Sequence, residues 1–175
     1  HQGVGAMMLG VESNGTLHEY FDQYPDQTGD DVHLMTGAFE SITAREYIYA
    51  RRTRATLRDN VAAAFEEVDL LAAPTTNALA PTYPLADDRT AIYDHKAIHA
   101  LTRFSFLANL TGLPAGSMPV GLVDGLPVGL QLMGDAWDEA SVLAAMAHAE
   151  RLGLTGLPRP SRYLNHREGR GNPEG

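Results

Sequence analysis

The clearest hydrophobic pattern lies between residues 104 and 134, where two runs rich in valine and leucine flank Asp124-Gly125. This dipeptide favours a two-residue hairpin turn, because both of its positions tolerate a positive φ. The pattern therefore predicts a β-hairpin. A bulge, or a donor-free position turned away from the neighbouring strand, is expected at Pro119 and at Pro127, since proline cannot donate a ladder hydrogen bond. Neither run alternates cleanly, so we expect both faces to be covered, as in a layered α/β protein.

Helical periodicity is strongest over residues 44–68, where apolar residues recur at three- and four-residue spacing. Thr43 is the predicted N-cap of this helix, and Glu46 completes a capping box with it. Its arginines lie mostly off the apolar face and are expected to be solvated. A second helix is predicted between Asp138, as its cap, and Gly153, as its stop, with inner positions at Val142, Leu143, Met146 and Ala149.

The remaining segments carry weaker patterns. Residues 1–15 have no convincing period, and we expect a short helix or strand at most. The other predictions are a helix over 10–20, a loop over 22–31, a helix from about 32 to 36, a strand over 68–73 that stops at Pro74, an extended connection over 77–90 and a helix over 91–107.

Composition narrows the classes of partner. The chain of 175 residues is 44% hydrophobic, and no apolar run reaches the length of a membrane span. A net charge of −9 disfavours nucleic acid, which is bound through lysine and arginine. There is no cysteine, which excludes disulfides and thiol chemistry. We expect one α/β domain over residues 1–156, a disordered tail over 157–175, and neither a membrane nor a nucleic acid as partner.

Candidate catalytic and metal-binding residues are few. Acyl transfer needs an activated hydroxyl and an oxyanion hole, but the serines are isolated, none lies in a Gly-x-Ser-x-Gly elbow, and Lys96 is the single lysine. We therefore assign no catalytic residue. His95 and His99 stand one helical turn apart beside Asp94. A zinc site would need a third protein ligand, so we interpret them as partly exposed helix residues and expect no metal and no other cofactor.

Three pieces of the chain resemble a known family. Asn109-Leu-Thr-Gly-Leu-Pro114, then a strand ending Pro119-Val-Gly121, then Gly125-Leu-Pro-Val-Gly-Leu-Gln131 resemble the C-terminal block of the amidase signature family of serine hydrolases. The upstream run that ends in Pro74-Thr-Thr76 and the downstream Ala-rich segment after Asp138-Glu139 are similar to the family as well, so the resemblance covers residues 30–152. It implies the C-terminal part of a mixed β-sheet flanked by helices.

The resemblance also implies which residues contact substrate. The family's Ser, cis-Ser, Lys triad lies earlier in such chains, and no residue here matches its Gly-Ser-rich motif. The segment that enters the Asn-Leu-x-Gly-Leu-Pro block lines the acyl-binding side of the site, which here means Thr102, Ser105, Phe106 and Asn109. For Asn109 the stronger interpretation is a buried amide that holds the turn before Gly112.

The expected activity is hydrolysis of a carboxylic amide through a serine acyl-enzyme. Glutamine-using members of the family hold charged substrate ends at positions that resemble Val32-His33 and Thr102, and no charged clamp is present here. We therefore predict a neutral or apolar amide for the intact enzyme, and no activity for this chain alone.

The alternatives left open are the amidase-type subunit of a glutamine-dependent amidotransferase, and a non-catalytic binding or assembly module. The expected partners are a small-molecule amide and the N-terminal half of the enzyme, with a homo-oligomer as a further alternative. The expected location is cytoplasmic.

Overall fold

The computed structural model describes residues 2–81 and 94–156, without the side chains of Asp31, Met35 and His95. Six helices and three strands lie in these ranges, together with a 3₁₀ turn at Pro25–Gln27. The helices are α1 (Gln2–Gln23), α2 (Asp30–Phe39), α3 (Ala44–Phe65), α4 (His95–Thr102), α5 (Ser105–Thr111) and α6 (Glu139–Arg151). The strands are β1 (Leu71–Pro74), β2 (Ala115–Val123) and β3 (Leu126–Met133). The extended connection predicted over 77–90 lies largely outside the described residues, as does the predicted tail.

The predicted hairpin is confirmed. Strands β2 and β3 pair antiparallel, and the turn places Asp124 at φ 52° and Gly125 at φ 78°, the left-handed region that a tight hairpin needs. The register shifts between Pro119 and Gly121, which confirms the predicted irregularity at the first proline. Pro127 pairs with Leu122 without a shift.

The described strands form an antiparallel sheet with the order β1-β3-β2, in which Leu71–Pro74 pairs with the end of β3. The outer half of the hairpin is not covered on both faces as expected. Val120, Leu122, Val123 and Leu126 are between 38% and 48% exposed. The described residues supply helix α6 to one face of the sheet, and they leave this end of the hairpin in contact with solvent.

Helix α6 packs on the sheet much as the sequence predicts. Asp138 caps it by accepting a hydrogen bond from the Ser141 amide (3.2 Å), and Gly153 follows its end with φ 73°. Val142 and Ala149 are buried in a cluster with Met118 and Leu132. The sequence predicts Leu143 on the inner face, but this residue is 65% exposed. The sheet is narrow, so the helix buries a thinner stripe than the apolar sequence suggests.

Helix α1 corrects the expectation for the N-terminal segment, because it is a continuous helix of 22 residues. The buried positions of α1 include Gly5 and Gly10, and a Cβ atom at either would overlap a phenylalanine ring, that of Phe106 at Gly5 and that of Phe39 at Gly10. The helix therefore packs through its smallest residues. An apolar moment built from large side chains does not reveal such a face.

Helix α3 begins as predicted and crosses α1. Thr43 and Glu46 form the capping box, with the Thr43 amide donating to the Glu46 carboxylate at 2.8 Å. Ala50 is fully buried in a cluster with Met8 and Leu110. The flanking arginines are exposed, as expected, except for a half-buried Arg54.

Two boundaries differ from the prediction. Helix α2 begins at Asp30 and continues through Gly37, so the acidic loop is shorter than expected. The helix predicted over 91–107 is divided between α4 and α5, with a break at Arg103-Phe104. The Ser105 hydroxyl donates to the Thr102 carbonyl (3.0 Å) across this break, which offers the backbone an alternative to continuous helix.

A candidate substrate groove

An apolar groove of about 820 Å³ lies along helix α1. Such a volume falls within the ~300–1,000 Å³ of typical ligand pockets. Helix α2 forms a wall beside its far half, and α4 with the start of α5 forms a wall beside its near half. The lining residues are Gln2, Gly3, Ala6, Leu9, Gly10, Ser13, Leu17, Phe21, Val32, Thr36, Phe39, Lys96, Ile98, His99, Thr102 and Phe106.

The near wall is held to α1 by one side chain. The Gln2 amide Nε2 donates to the His99 carbonyl oxygen (2.7 Å) and to Thr102 Oγ1 (3.1 Å). The Thr102 hydroxyl in turn donates to the Ile98 carbonyl (2.8 Å). The Thr102 side chain therefore has its donor and an acceptor lone pair occupied, and it presents its methyl group and the remaining lone pair to the groove.

The far wall runs antiparallel to α1. Phe39, at the end of α2, lies over Gly10, whereas Val32, near its start, lines the groove together with Phe21. The Phe21 ring also meets the His33 ring edge-on, with 5.8 Å between centroids. Because α2 begins at the end of α1 and runs back along it, the two helices enclose a trough.

The structure brings two of the four predicted contact residues into this groove. Thr102 and Phe106 line it, and both are half-buried. Ser105 is also half-buried, but it is not among the lining residues, and its hydroxyl is engaged by the Thr102 carbonyl. Asn109 lies outside the groove on the exposed side of α5.

The interpretation of Asn109 as a buried amide is wrong, because this residue is exposed. The turn after α5 is held by the backbone instead. The amides of Gly112 (2.8 Å) and Leu113 (3.2 Å) both donate to the Ala108 carbonyl, with Gly112 at φ 77°. Arg54 adds a second restraint, since its Nε donates to the Leu110 carbonyl at 2.6 Å. A left-handed glycine and a cationic donor both suit a helix C-terminus.

The two positions that resemble the glutamine clamp also meet at the groove. Val32 and Thr102 lie on opposite walls, and neither carries charge. His33 lines a separate polar cavity of about 330 Å³, where its Nε2 lies 3.2 Å from the Pro25 carbonyl. Among the groove residues above, Lys96 is the single one with a permanent charge.

Sequence reasoning missed the α1 face of the groove. A signal for it exists, because small residues recur at Gly3, Ala6, Gly10 and Ser13, with spacings of three and four residues. This is the period of one helical face. It carries no large apolar residue until Leu17, so a search for apolar periodicity passes over it.

The candidate metal residues have other contacts. Asp94 caps α4, because its Oδ1 accepts from the amides of Lys96 (2.8 Å) and Ala97 (3.1 Å). In residues 2–81 and 94–156, no three histidine or acidic side chains are grouped so that they could hold a metal ion. The side chain of His95 lies outside the described residues. None of the helices in these ranges has the length and apolar character of a membrane span.

Comparison with known proteins decides the family. The family model described as Amidase matches residues 8–143, which is most of the chain. The chain belongs to the amidase signature family. Among curated relatives, it is 37% identical over 136 residues to a fatty acid amide hydrolase of Medicago truncatula, an alignment that covers 77% of the chain and 22% of that protein. It is 39% identical over 115 residues to a glutamyl-tRNA(Gln) amidotransferase subunit of Thioalkalivibrio sulfidiphilus, covering 66% of the chain and 22% of the relative.

Solved amidase signature structures share the fold. A bacterial aryl acylamidase of this family superposes with a TM-score of 0.70 at 23% identity, over 90% of the chain and 36% of that protein. The mixed α/β architecture expected from the sequence is thereby confirmed. The chain spans about a fifth of the length of the curated relatives it matches. It is a partial segment of the amidase signature fold.

Proposed function

We propose that the protein acts as an amidase on a neutral or apolar carboxylic amide, and that the groove along α1 holds the apolar part of the substrate. The observation that carries this proposal is the lining itself, in which Val32 and Thr102 occupy the positions where a charged clamp is expected in glutamine-using members. The name of the relatives called fatty acid amide hydrolase supports the same class of substrate.

The proposed reaction proceeds through an acyl-enzyme. A serine from the part of the enzyme outside this chain attacks the amide carbonyl, the amine leaves, and water then releases the carboxylic acid. This chain contributes binding rather than the nucleophile. Phe106 supplies apolar contact and Thr102 one wall, while Ser105 and Asn109 remain candidate contacts by resemblance. Binding energy from such remote contacts helps orient the reacting amide.

The test compares amide substrates on the full-length polypeptide that carries this segment. We expect kcat/KM for apolar aryl and alkyl amides to exceed that for glutamine by at least about a hundredfold, since a charged glutamine would lose its hydration here without gaining ionic partners. Phe106→Ala should lower kcat/KM for the apolar amides. Phe104→Ala is the matched control, because Phe104 is also half-buried at the start of α5 but does not line the groove.

Efficient glutaminase activity that saturates at low substrate would overturn the proposal in favour of the glutamine-dependent amidotransferase. The identity to the amidotransferase relative makes this function the second candidate. The absence of any amide hydrolysis by the full-length polypeptide would favour the non-catalytic binding module instead.

A further inference from the structure

The groove is long in one direction. Its lining on α1 extends from Gly3 to Phe21, which at 1.5 Å per residue corresponds to about 27 Å along the helix axis. The lining positions between these ends follow a single stripe of α1, because they recur at three- and four-residue spacing. A ligand that fills the groove therefore lies lengthwise on α1.

The width of the groove separates two kinds of occupant. Spread over about 27 Å, a volume of about 820 Å³ gives a mean width of about 6 Å, whereas an α-helix with its side chains is about 10–12 Å across. An amphipathic helix from a partner protein is therefore too thick to enter. A single extended chain fits this width.

Charge distinguishes the two ends of the ligand. Lys96 is the single permanently charged residue among those that line the groove, and it is exposed on α4, the helix that also carries Thr102. The polar cavity beside the far end shares Phe21 with the groove and contains the carboxylates of Asp22 and Glu40. An anionic group is repelled at that end and attracted at Lys96.

We propose that the groove binds a linear amphiphile whose apolar chain lies along α1 and whose carboxylate pairs with Lys96. This inference deepens the proposed function and rests on it for its biological meaning, because hydrolysis of an apolar-chain amide by water releases a linear carboxylic acid and an amine. The acid ionises near pH 7 and then matches the site. Long-chain carboxylates are accordingly inhibitors that compete with the amide substrate.

Gly3 is the residue best placed to test the path of the chain. It lines the groove, and a Cβ atom added there meets nothing within 4 Å, so a larger side chain enters open space rather than the fold. Gly15 is a matched control on the same helix. It also has nothing within 4 Å of an added Cβ, and it does not line the groove. Both substitutions improve helix propensity, so neither should unfold α1.

The experiment is calorimetric binding of n-alkyl carboxylates and matching n-alcohols, below their micelle concentrations, to the full-length polypeptide. We expect affinity to rise by up to about fourfold per methylene and then level off once the groove is filled. Lys96→Gln should weaken carboxylate binding about fivefold and leave alcohol binding unchanged. Gly3→Leu should weaken both ligands at least tenfold, and Gly15→Leu should weaken neither.

Equal losses for carboxylate and alcohol in Lys96→Gln would overturn the assignment of the head group. Equal effects of Gly3→Leu and Gly15→Leu would overturn the path along α1. Because binding is read without turnover, the outcomes separate from those of the activity test. Hydrolysis of apolar amides without carboxylate binding contradicts this inference alone, and carboxylate binding without hydrolysis contradicts the proposed function alone.

Discussion

Gly5 and Gly10 determine where two aromatic rings lie against α1. A side chain at either position would occupy the space of the Phe106 or Phe39 ring, so the helix backbone and the rings approach directly. Phe106 and Phe39 both line the groove, and their placement sets its shape. Glycine in a helix interior costs about 1 kcal/mol relative to alanine, and here the close approach offsets that cost.

Glu46 illustrates how a single carboxylate links a helix start to pH. Its oxygen accepts hydrogen bonds from the Thr43 amide and hydroxyl, each at 2.8 Å, and these bonds lower the pKa of Glu46 below its usual value, the backbone bond first. A lowered pKa in the folded state means that the stabilisation is present above the unfolded pKa of about 4.3. It is lost as the pH falls through the lower folded value.

The corresponding prediction is that Glu46→Gln removes part of the pH dependence of unfolding. Glutamine at this position can still accept from the Thr43 amide, so the capping geometry is kept while the titrating group is absent. Tm measured from pH 6 to pH 3 should fall less steeply in Glu46→Gln than in the parent protein. Parallel curves for the two proteins would show that the carboxylate does not contribute to this dependence.

At the scale of elements, α6 and the hairpin form one packed unit. The same face of the sheet carries Met118 and Leu132, and both contact the buried stripe of α6. The opposite face carries the hydroxyl pair of Thr75 and Ser117, which lie 2.6 Å apart. The unit thus has an apolar side that stabilises it and a polar side next to the loop that follows β1.

Neighbouring residues of α6 provide a direct test of this packing. Val142 is 3% exposed and Leu143 is 65% exposed. Val142→Ala should lower the free energy of unfolding by about 2 kcal/mol, because it removes buried methyl groups and leaves a cavity, whereas Leu143→Ala should change it by less than about 0.5 kcal/mol. Chemical denaturation with a constant m-value would measure both. A larger cost for Leu143→Ala in the full-length polypeptide would place another part of the enzyme over this residue.

At the scale of the whole molecule, the chain is a piece of a larger amidase signature fold. It spans about a fifth of its curated relatives, and the outer half of the hairpin, together with Trp137 at 92% exposure, lies open to solvent. β2 is an edge of the described sheet, and its outer edge has no strand partner among the described residues. Open edges and apolar surface both favour association.

We therefore expect the 175-residue chain by itself to show no amide hydrolysis and to associate as its concentration rises. Light scattering across a concentration series and an aryl amide assay would measure the two properties. Turnover by the isolated chain that is abolished at Ser105 or Asn109 would contradict the assignment of the nucleophile to another part of the enzyme. A monomer with sharp two-state unfolding and no activity would favour the stand-alone binding module.

The sequence by itself determined the features that depend on neighbours along the chain. The Asp124-Gly125 turn, the Thr43 capping box and the Gly153 stop are each specified by residues within about four positions, and each is found where the pattern predicts it. The family resemblance is of the same kind, since it rests on short motifs. It led to Thr102 and Phe106, which the structure brings into the groove.

Tertiary structure decided the groove itself and the extent of α1. The bond from Gln2 to Thr102 joins residues 100 positions apart, and no local pattern encodes such a contact. Helix α1 packs through glycine and alanine, whose role emerges once the rings of Phe39 and Phe106 lie over them. The expectations for Leu143 and Asn109 were wrong for the same reason, because burial depends on which elements meet, and periodicity specifies only which residues share a face.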